Sequence, residues 1–348
     1  MRELRLGTRG SQLALWQARA VAARIAETGG PSCRIDIIKT SGDRLQEAPL
    51  SEVGGKRLFV KEIEDALLRR DVDLAVHSSK DMPVVLPEGL RVGAVLPRED
   101  PLDAIVLPQM VRLKADPTTA TYADPTTPPY AGSGFSRTMT IEDLVAALGQ
   151  SPRIGTGSVR RIAQLIRLMP GALFEPIRGN LDTRLRKLDA GEYDALVLAA
   201  AGLRRLSFAS RISMTLQSDT CVPAPGQGIV AVEIRADDEE VRRVVEAIDD
   251  PAASAALDAE RALVAALGGG CQTPIGALAS LDAAGDLEIV AAVVSLDGSR
   301  AVRAKTHGHR GEAAAIGRRA AAQLLADGAG DILAEIRHDR DAVEGIQP

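Results

Sequence analysis

Apolar positions along the chain fall into short runs broken by glycine turns and by stretches of helical period, and one such unit occurs twice. Leu4-Arg5-Leu6-Gly7-Thr8 is a short apolar strand that enters the turn Arg9-Gly10-Ser11 and then the helical segment Gln12-Leu13-Ala14-Leu15-Trp16. Far downstream, Pro152-Arg153-Ile154-Gly155-Thr156-Gly157-Ser158 leads into Val159-Arg160-Arg161-Ile162-Ala163 in the same order. Ser11 and Ser158 stand where an N-cap hydroxyl satisfies free amides of the first helical turn. Such a helix start favours an anion, because unpaired N–H groups and the helix dipole both face the turn. Arginines sit in or just after both turns, at Arg9, Arg160 and Arg161.

The alternation continues on both sides. In the first half, a strand from Cys33 to Lys39 ends in the turn Thr40-Ser41-Gly42-Asp43-Arg44, Gly54-Gly55-Lys56 leads into a helix over Phe59 to Leu68, and Val72 to Val76 reads as a buried strand ending at His77-Ser78-Ser79-Lys80-Asp81. The second half repeats the order. A helix runs to Leu168 and a strand to Ile177, followed by the turn Arg178-Gly179-Asn180, a helix through Arg184 to Leu188, and a strand from Tyr193 to Leu198. Strands alternating with helices predict two α/β lobes with mostly parallel sheets and ligands at the strand C-termini, where His77 to Asp81 lie.

Residues 109–137 are rich in Pro, Thr, Ala and Gly without apolar period and read as a surface insertion. After Pro223-Ala224-Pro225-Gly226-Gln227-Gly228, the strand Ile229 to Ile234 is placed to return to the first lobe. A helix from Ser254 to Leu267, the run Gly268-Gly269-Gly270 before Cys271, strands between Ile275 and Val302 and an Ala-rich helix from Gly311 to Leu325 suggest a small C-terminal α+β domain. The expected boundaries are 1–96 with 229–246 for the first lobe, 100–222 for the second and 251–342 for the third unit.

The 348 residues suit two or three domains. Aromatic residues make up only 2%, which leaves few stacking platforms for single-stranded nucleic acid. A net charge of −5 gives no global field for nucleic acid or membrane. Between Arg153 and Arg211, however, eleven Lys and Arg face five Asp and Glu, so the partner expected there is a small polyanion. No apolar run approaches a membrane span and the first residues have no signal-peptide core, so a cytoplasmic protein is expected. Cys33, Cys221 and Cys271 are too scattered for a zinc site or a disulfide framework. Neither a metal nor a nucleotide is expected, for want of ligand spacing and of a phosphate-binding loop.

Taken in order, Arg5-Leu6-Gly7-Thr8-Arg9-Gly10-Ser11 with Leu13 to Ala18, Gly54-Gly55-Lys56 with Leu58 to Glu62, His77-Ser78-Ser79-Lys80-Asp81 with Pro83, Gly155-Thr156 with Arg160-Arg161, Arg178-Gly179-Asn180 with Thr183-Arg184, Gly226-Gln227-Gly228 and Gly269-Gly270-Cys271 resemble the porphobilinogen deaminase, or hydroxymethylbilane synthase, family. The resemblance covers residues 4–280 apart from the insertion. It implies two lobes of the periplasmic-binding-protein type, a third domain holding a covalent dipyrromethane cofactor, and a transferase of porphyrin and heme biosynthesis. The implied reaction joins four porphobilinogen molecules head to tail with loss of ammonia, then releases hydroxymethylbilane by hydrolysis. A cytoplasmic monomer is implied, with no nucleic-acid or membrane partner.

By the same resemblance, Cys271 carries the cofactor through a thioether, a reasonable anchor because sulfur is a good nucleophile toward an electrophilic methylene. Asp81 matches the catalytic aspartate, a carboxylate that can offset positive charge developing on a pyrrole and assist proton transfer. Lys80, Ser158, Arg160, Arg161 and Arg184 match cofactor-binding positions, with Asp81 beside them. Arg9, Ser11, Lys56, Phe59, Arg178, Arg184, Arg205 and Gln227 match substrate-binding positions. Arginine suits this work because its planar fork grips a carboxylate with two charge-assisted bonds. Asp43 matches a loop-shaping position, His77 reads as a satisfied strand-end imidazole, and Glu52 stands where the family often has Lys. The residues alone leave another reading open, a two-lobed anion-binding module that does not use the Gly-Gly-Cys segment. A nucleic-acid binder acting through the basic lobe is disfavoured by the acidic remainder.

Overall fold

The computed structural model describes residues 2–44, 59–109, 140–270 and 273–344. The first sheet contains β1 (Leu4–Thr8), β2 (Cys33–Ile37), β3 (Leu74–Ser78), β4 (Leu90–Val95) and β10 (Val230–Arg235), in the order β2-β1-β3-β10-β4. The second contains β5 (Asp103–Val106), β6 (Arg153–Gly155), β7 (Leu173–Glu175), β8 (Ala195–Ala199) and β9 (Met214–Leu216), in the order β7-β6-β8-β5-β9. In each, the three strands at one side pair in parallel, and a strand arriving from the other lobe pairs antiparallel with both its neighbours. That strand is β10 in the first lobe and β5 in the second. Four of five strands in each sheet therefore point the same way, and the fifth is a crossing strand.

The duplication extends to side-chain detail. Asp73 accepts the Arg5 amide through Oδ2 at 2.8 Å and returns its own amide to the Arg5 carbonyl at 2.8 Å. Asp194 does the same with Arg153, at 2.7 and 2.8 Å. In each lobe a carboxylate at the head of an apolar run locks the third strand to the first. The apolar runs they introduce, Leu74 to Val76 and Ala195 to Leu198, are buried throughout because both sheet faces are covered.

Helices α1 (Gln12–Glu27), α2 (Ser41–Arg44) and α3 (Lys61–Leu68) belong to the first lobe. The second has α4 (Ile141–Leu148), α5 (Val159–Leu165), α6 (Leu181–Asp189) and α7 (Ala200–Arg205). The chain returns through β10 to α8 (Glu239–Glu246), then enters the third unit: α9 (Pro251–Ala266), the antiparallel sheet of β11 (Ile275–Leu281), β12 (Leu287–Val294) and β13 (Ala301–Gly308), α10 (Ala313–Ala326) and α11 (Ala329–Glu344). Ala259, Leu263, Ile289, Ala320 and Leu324 fill its core. Sequence patterning did not separate α11 from the polar C-terminus.

The third unit packs on both lobes. Ala253 and Leu257 of α9 meet Met82, Val95 and Ile229 of the first, while Ala292 and Val294 of β12 meet Ala163 and Val222 of the second. Two crossings join the lobes, Pro97 to Leu102 outward and Gln217 to Ile229 back. They run close together because Gly226 and Gly228 adopt φ of +72° and +86°, which an L side chain rarely does. A Cβ on Gly226 would lie 2.6 Å from Ser79 Oγ, and one on Gly228 would strike the Glu99 carbonyl. Among the described residues no helix is long and apolar enough to cross a membrane. The expected 109–137 insertion lies outside the described residues apart from Gln109.

Candidate active site

The cleft is assembled from all three units. Ser79 to Asp81 form a single 3₁₀ turn at the end of β3, held by the Ser79 amide donating to the Ile229 carbonyl at 3.0 Å. Asp81 is exposed, and its neighbours Lys80 and Met82 line a cavity of about 610 Å³, part of it open to solvent. Ser158 and Arg160 of the second lobe, Ala224 and Pro225 of the return crossing, and Arg261, Gly270 and Thr273 of the third unit complete its wall. Cys271, the expected cofactor anchor, lies outside the described residues, but its neighbour Gly270 faces open space at this wall.

Both expected helix caps are formed. Ser11 Oγ accepts the Ala14 amide at 3.3 Å and Ser158 Oγ the Arg161 amide at 3.5 Å. The arginines that follow Ser158 are buried, and both bind a carboxylate that sequence reading did not single out. Arg160 Nη1 lies 2.7 Å from Asp103 Oδ2, and Arg161 Nε 2.9 Å from Asp103 Oδ1. Each also donates to a carbonyl at 2.8 Å, Arg160 to Val222 and Arg161 to Val197. Burial alone would raise the Asp103 pKa, but the two guanidinium groups hold it well below the usual carboxylate range. The forks of Arg160 and Arg161 are thus largely engaged by Asp103 and by backbone carbonyls, and Arg160 lines the cavity.

Gln227, expected to touch substrate, is fully buried in the return crossing. Its Nε2 donates to the Pro101 carbonyl at 2.7 Å and to Asp103 Oδ1 at 2.9 Å, while its Oε1 accepts from Lys80 Nζ at 3.3 Å. Gln227 is thus a link between lobes rather than a group presented to the cleft. Burial lowers the Lys80 pKa to about 8; Asp81 opposes the shift, and Arg161 adds to it.

Arg184 and Arg178 are half-buried on the second lobe. Arg184 Nε donates to the Gly179 carbonyl at 2.9 Å, and no described carboxylate forms an ion pair with this residue. Burial and the adjacent cation Arg161 depress its pKa, with Asp81 opposing.

Arg9 is engaged, with Nη2 2.6 Å from Asp43 Oδ1 and its guanidinium carbon 4.2 Å from the centre of the Phe59 ring. Asp43 in turn accepts from the Thr40 hydroxyl at 2.8 Å, so it does shape its loop. Arg205 Nη2 donates to the Gly228 carbonyl at 2.7 Å, and its guanidinium lies 5.4 Å from the ring centre of Trp16 in the other lobe. Burial brings its pKa down to about 10, with Glu99 opposing. His77 Nε2 is 3.1 Å from Glu233 Oε2, a buried pair behind the Asp81 turn. Lys56 and Glu52 lie outside the described residues.

Cys221, buried 3.5 Å from Asp103 and from Arg160, has its thiol pushed up to about 12 by burial and is chemically quiet. Sequence reading also passed over Glu260 and Arg261, on the alanine-rich helix α9. Arg261 Nη2 donates to the Val84 carbonyl, just beyond Asp81, at 2.6 Å. Among the described residues no cluster of three or more His, Cys, Asp or Glu is placed to hold a metal.

Comparison with known proteins gives the arrangement a family. The porphobilinogen deaminase dipyromethane cofactor binding domain matches residues 4–127 and 133–243, and the porphobilinogen deaminase C-terminal domain matches 255–326. The porphobilinogen deaminase of Syntrophobacter fumaroxidans is 44% identical over 96% of this chain and 98% of its own length. That of Moorella thermoacetica is 41% identical over 99% of this chain and 100% of its own. Among solved structures, an arginine-specific periplasmic binding protein of Salmonella typhimurium is 10% identical and aligns over 71% of this chain and 92% of its own, with a TM-score of 0.35. On the two family domains and on relatives that match over nearly the whole length, the chain belongs to the porphobilinogen deaminase family.

Proposed function

We propose that the cleft between the lobes condenses four molecules of porphobilinogen head to tail, with loss of one ammonia each, on a dipyrromethane held by Cys271, and that water then releases hydroxymethylbilane. The observation that carries this reading is the meeting, in one cavity, of Lys80, Ser158, Arg160 and Arg261 with the segment that enters Cys271. A cofactor bearing carboxylates fits this wall. Two of the lining residues, Ser79 and Arg160, each keep a buried polar atom, Oγ and Nε respectively, without a partner among the described residues. The wall is also cationic where acetate and propionate groups would lie.

In this reading, Lys80, Arg160 and Arg184 hold ligand carboxylates, with Arg161 and Ser158 fixing the helix start behind them. Dipyrromethane, when bound, supplies the pyrrole carbon to which the first substrate is joined. Loss of ammonia leaves positive charge on the incoming porphobilinogen, and Asp81, exposed at the strand end, offsets that charge through its carboxylate. The same carboxylate accepts the α-proton displaced when the new carbon–carbon bond forms. Arg9, Phe59 and Arg178 approach the growing chain from the two sides of the cleft, and Arg205 and Gln227 act where the lobes meet. The reading includes a cytoplasmic monomer without a nucleic-acid partner, in keeping with the net charge of −5.

Mass spectrometry of the denatured protein tests it. The wild type should carry a two-pyrrole adduct, which should be absent from Cys271→Ser and retained in Cys33→Ser and Cys221→Ser. A bare polypeptide mass in wild-type protein that turns over porphobilinogen would contradict the reading.

A further inference from the structure

The arginine pair at the head of α5 already grips a carboxylate that belongs to the chain. Asp103, the first residue of β5, is fully buried. Its Oδ1 receives Arg160 Nη2 at 3.2 Å, Arg161 Nε at 2.9 Å, Arg161 Nη2 at 2.7 Å and Gln227 Nε2 at 2.9 Å, and its Oδ2 receives Arg160 Nη1 at 2.7 Å. With the Cys221 thiol 3.5 Å from Oδ2, four side chains thus converge on one anion, and Gln227 carries the chain of contacts on to Lys80 in the other lobe. Two adjacent buried guanidinium groups with no counter-ion would repel each other and carry a large desolvation cost. One carboxylate between them removes half that charge and fixes both planes, while leaving a net positive charge for a ligand.

Resting on the function proposed above, we infer that Asp103 is a positioning residue of the carboxylate site. It orients Arg160 toward acidic ligands, with Arg161 braced behind it, and through Gln227 aligns Lys80 of the opposite lobe with them. Asp103 does not touch substrate; it acts through the cations that do. A carboxylate needed only for folding would leave ligand affinity intact in any variant that folds. A positioning carboxylate sets affinity separately from stability.

The test compares Asp103→Asn, which keeps shape and loses charge, with Asp103→Glu, which keeps charge at a longer reach. The readouts are the fraction of polypeptide carrying the two-pyrrole adduct, KM and kcat for porphobilinogen, and the denaturation midpoint. Asp103→Asn should lower the adduct fraction and raise KM about 10–100-fold, the scale of one or two lost charge-assisted bonds, with a smaller change in kcat. Asp103→Glu should recover part of both. Gln227→Leu removes no charge but breaks the link to Lys80, so KM should rise; because the buried amide also bonds Pro101 and Asp103, the denaturation midpoint should fall as well, but less than in Asp103→Asn. This variant decides the matter if Asp103→Asn does not fold. The inference is overturned if KM and adduct fraction stay at wild-type values in a folded Asp103→Asn or in Gln227→Leu. It is also overturned if Asp103→Glu is as impaired as Asp103→Asn and both losses follow the midpoint. Wild-type protein without adduct or turnover would instead defeat the proposed function itself.

Discussion

Arg98 and Glu260 meet where all three units join, with Nη1 2.6 Å from Oε1 and the Glu260 carboxylate wholly out of solvent. Arg98 lies on the outward crossing, and its Nε donates to the Gln227 carbonyl of the return crossing at 2.8 Å. Glu260 also accepts the Gly226 amide at 2.6 Å and the Ala279 amide at 2.7 Å. One carboxylate of the third unit therefore binds both crossings between the lobes. Next to it on α9, Arg261 holds the loop beyond Asp81.

Removing that carboxylate strands a mostly buried guanidinium and two buried amides. Glu260→Ala should cost about 3–5 kcal/mol, read as a lower midpoint in urea. An exposed pair sets the contrast: Arg242→Ala breaks only surface contacts with Glu239 and Glu246 along one helix and should leave the midpoint nearly unchanged. Equal losses would show that the junction does not depend on Glu260.

Arg160 and Arg184 should separate stability from binding. Arg160→Leu leaves Asp103 with fewer donors in a buried site and should destabilise the fold as well as weaken ligand binding. Arg184→Leu removes a cation depressed by burial and by Arg161, so the denaturation midpoint should hold or rise. KM should nevertheless rise about 10–100-fold through the loss of charge-assisted bonds to carboxylate. A marked fall in the midpoint of Arg184→Leu, with KM unchanged, would contradict this division.

Lys80 sets a pH dependence with a defined sign. Its folded pKa, about 8, lies below the ordinary 10.5, so the unfolded chain holds more protons between those values. Its contribution to stability therefore rises with pH across that window, because the cost of burying the charge is relieved. Ligand binding moves the other way, since neutral Lys80 attracts carboxylates less. A plot of kcat/KM against pH should fall as pH rises through about 8, and Lys80→Arg, charged throughout, should lack that limb. An identical limb in Lys80→Arg would assign it to another group.

The architecture was readable in the sequence where it is local. The paired strand-turn-helix starts at Leu4 and Arg153, their serine caps and the Asp-headed apolar strands at Asp73 and Asp194 are signals within a few residues, and each forms as its pattern implies. The antiparallel crossing strands were harder: Ile229 to Ile234 was expected to return to the first lobe and Asp103 to Val106 falls within the span expected for the second, but nothing in such a short apolar run says that it pairs antiparallel with both its neighbours. The geometry of the cleft was less readable still. Asp103 meets Arg160 and Arg161 across 57 and 58 residues of chain, and Gln227 across 124. A carboxylate at the head of an apolar strand was the available cue, the same cue that marks Asp73. Glu260 and Arg261 resemble the solvated face of a helix until the third unit is docked on the crossings.

In the proposed mechanism ammonia leaves porphobilinogen beside the Asp81 carboxylate, and single-turnover ammonia release reads that step without later elongation or product release. Wild type and Asp81→Asn would both be shown by mass to carry the adduct, then mixed with one equivalent of porphobilinogen. The rate should be lower by ~10²–10⁴ in Asp81→Asn, the span of a positioned charge or proton-transfer group, with Asp81→Glu recovering part of it. Equal rates in wild type and Asp81→Asn would contradict the mechanism and leave Asp81 as a turn residue.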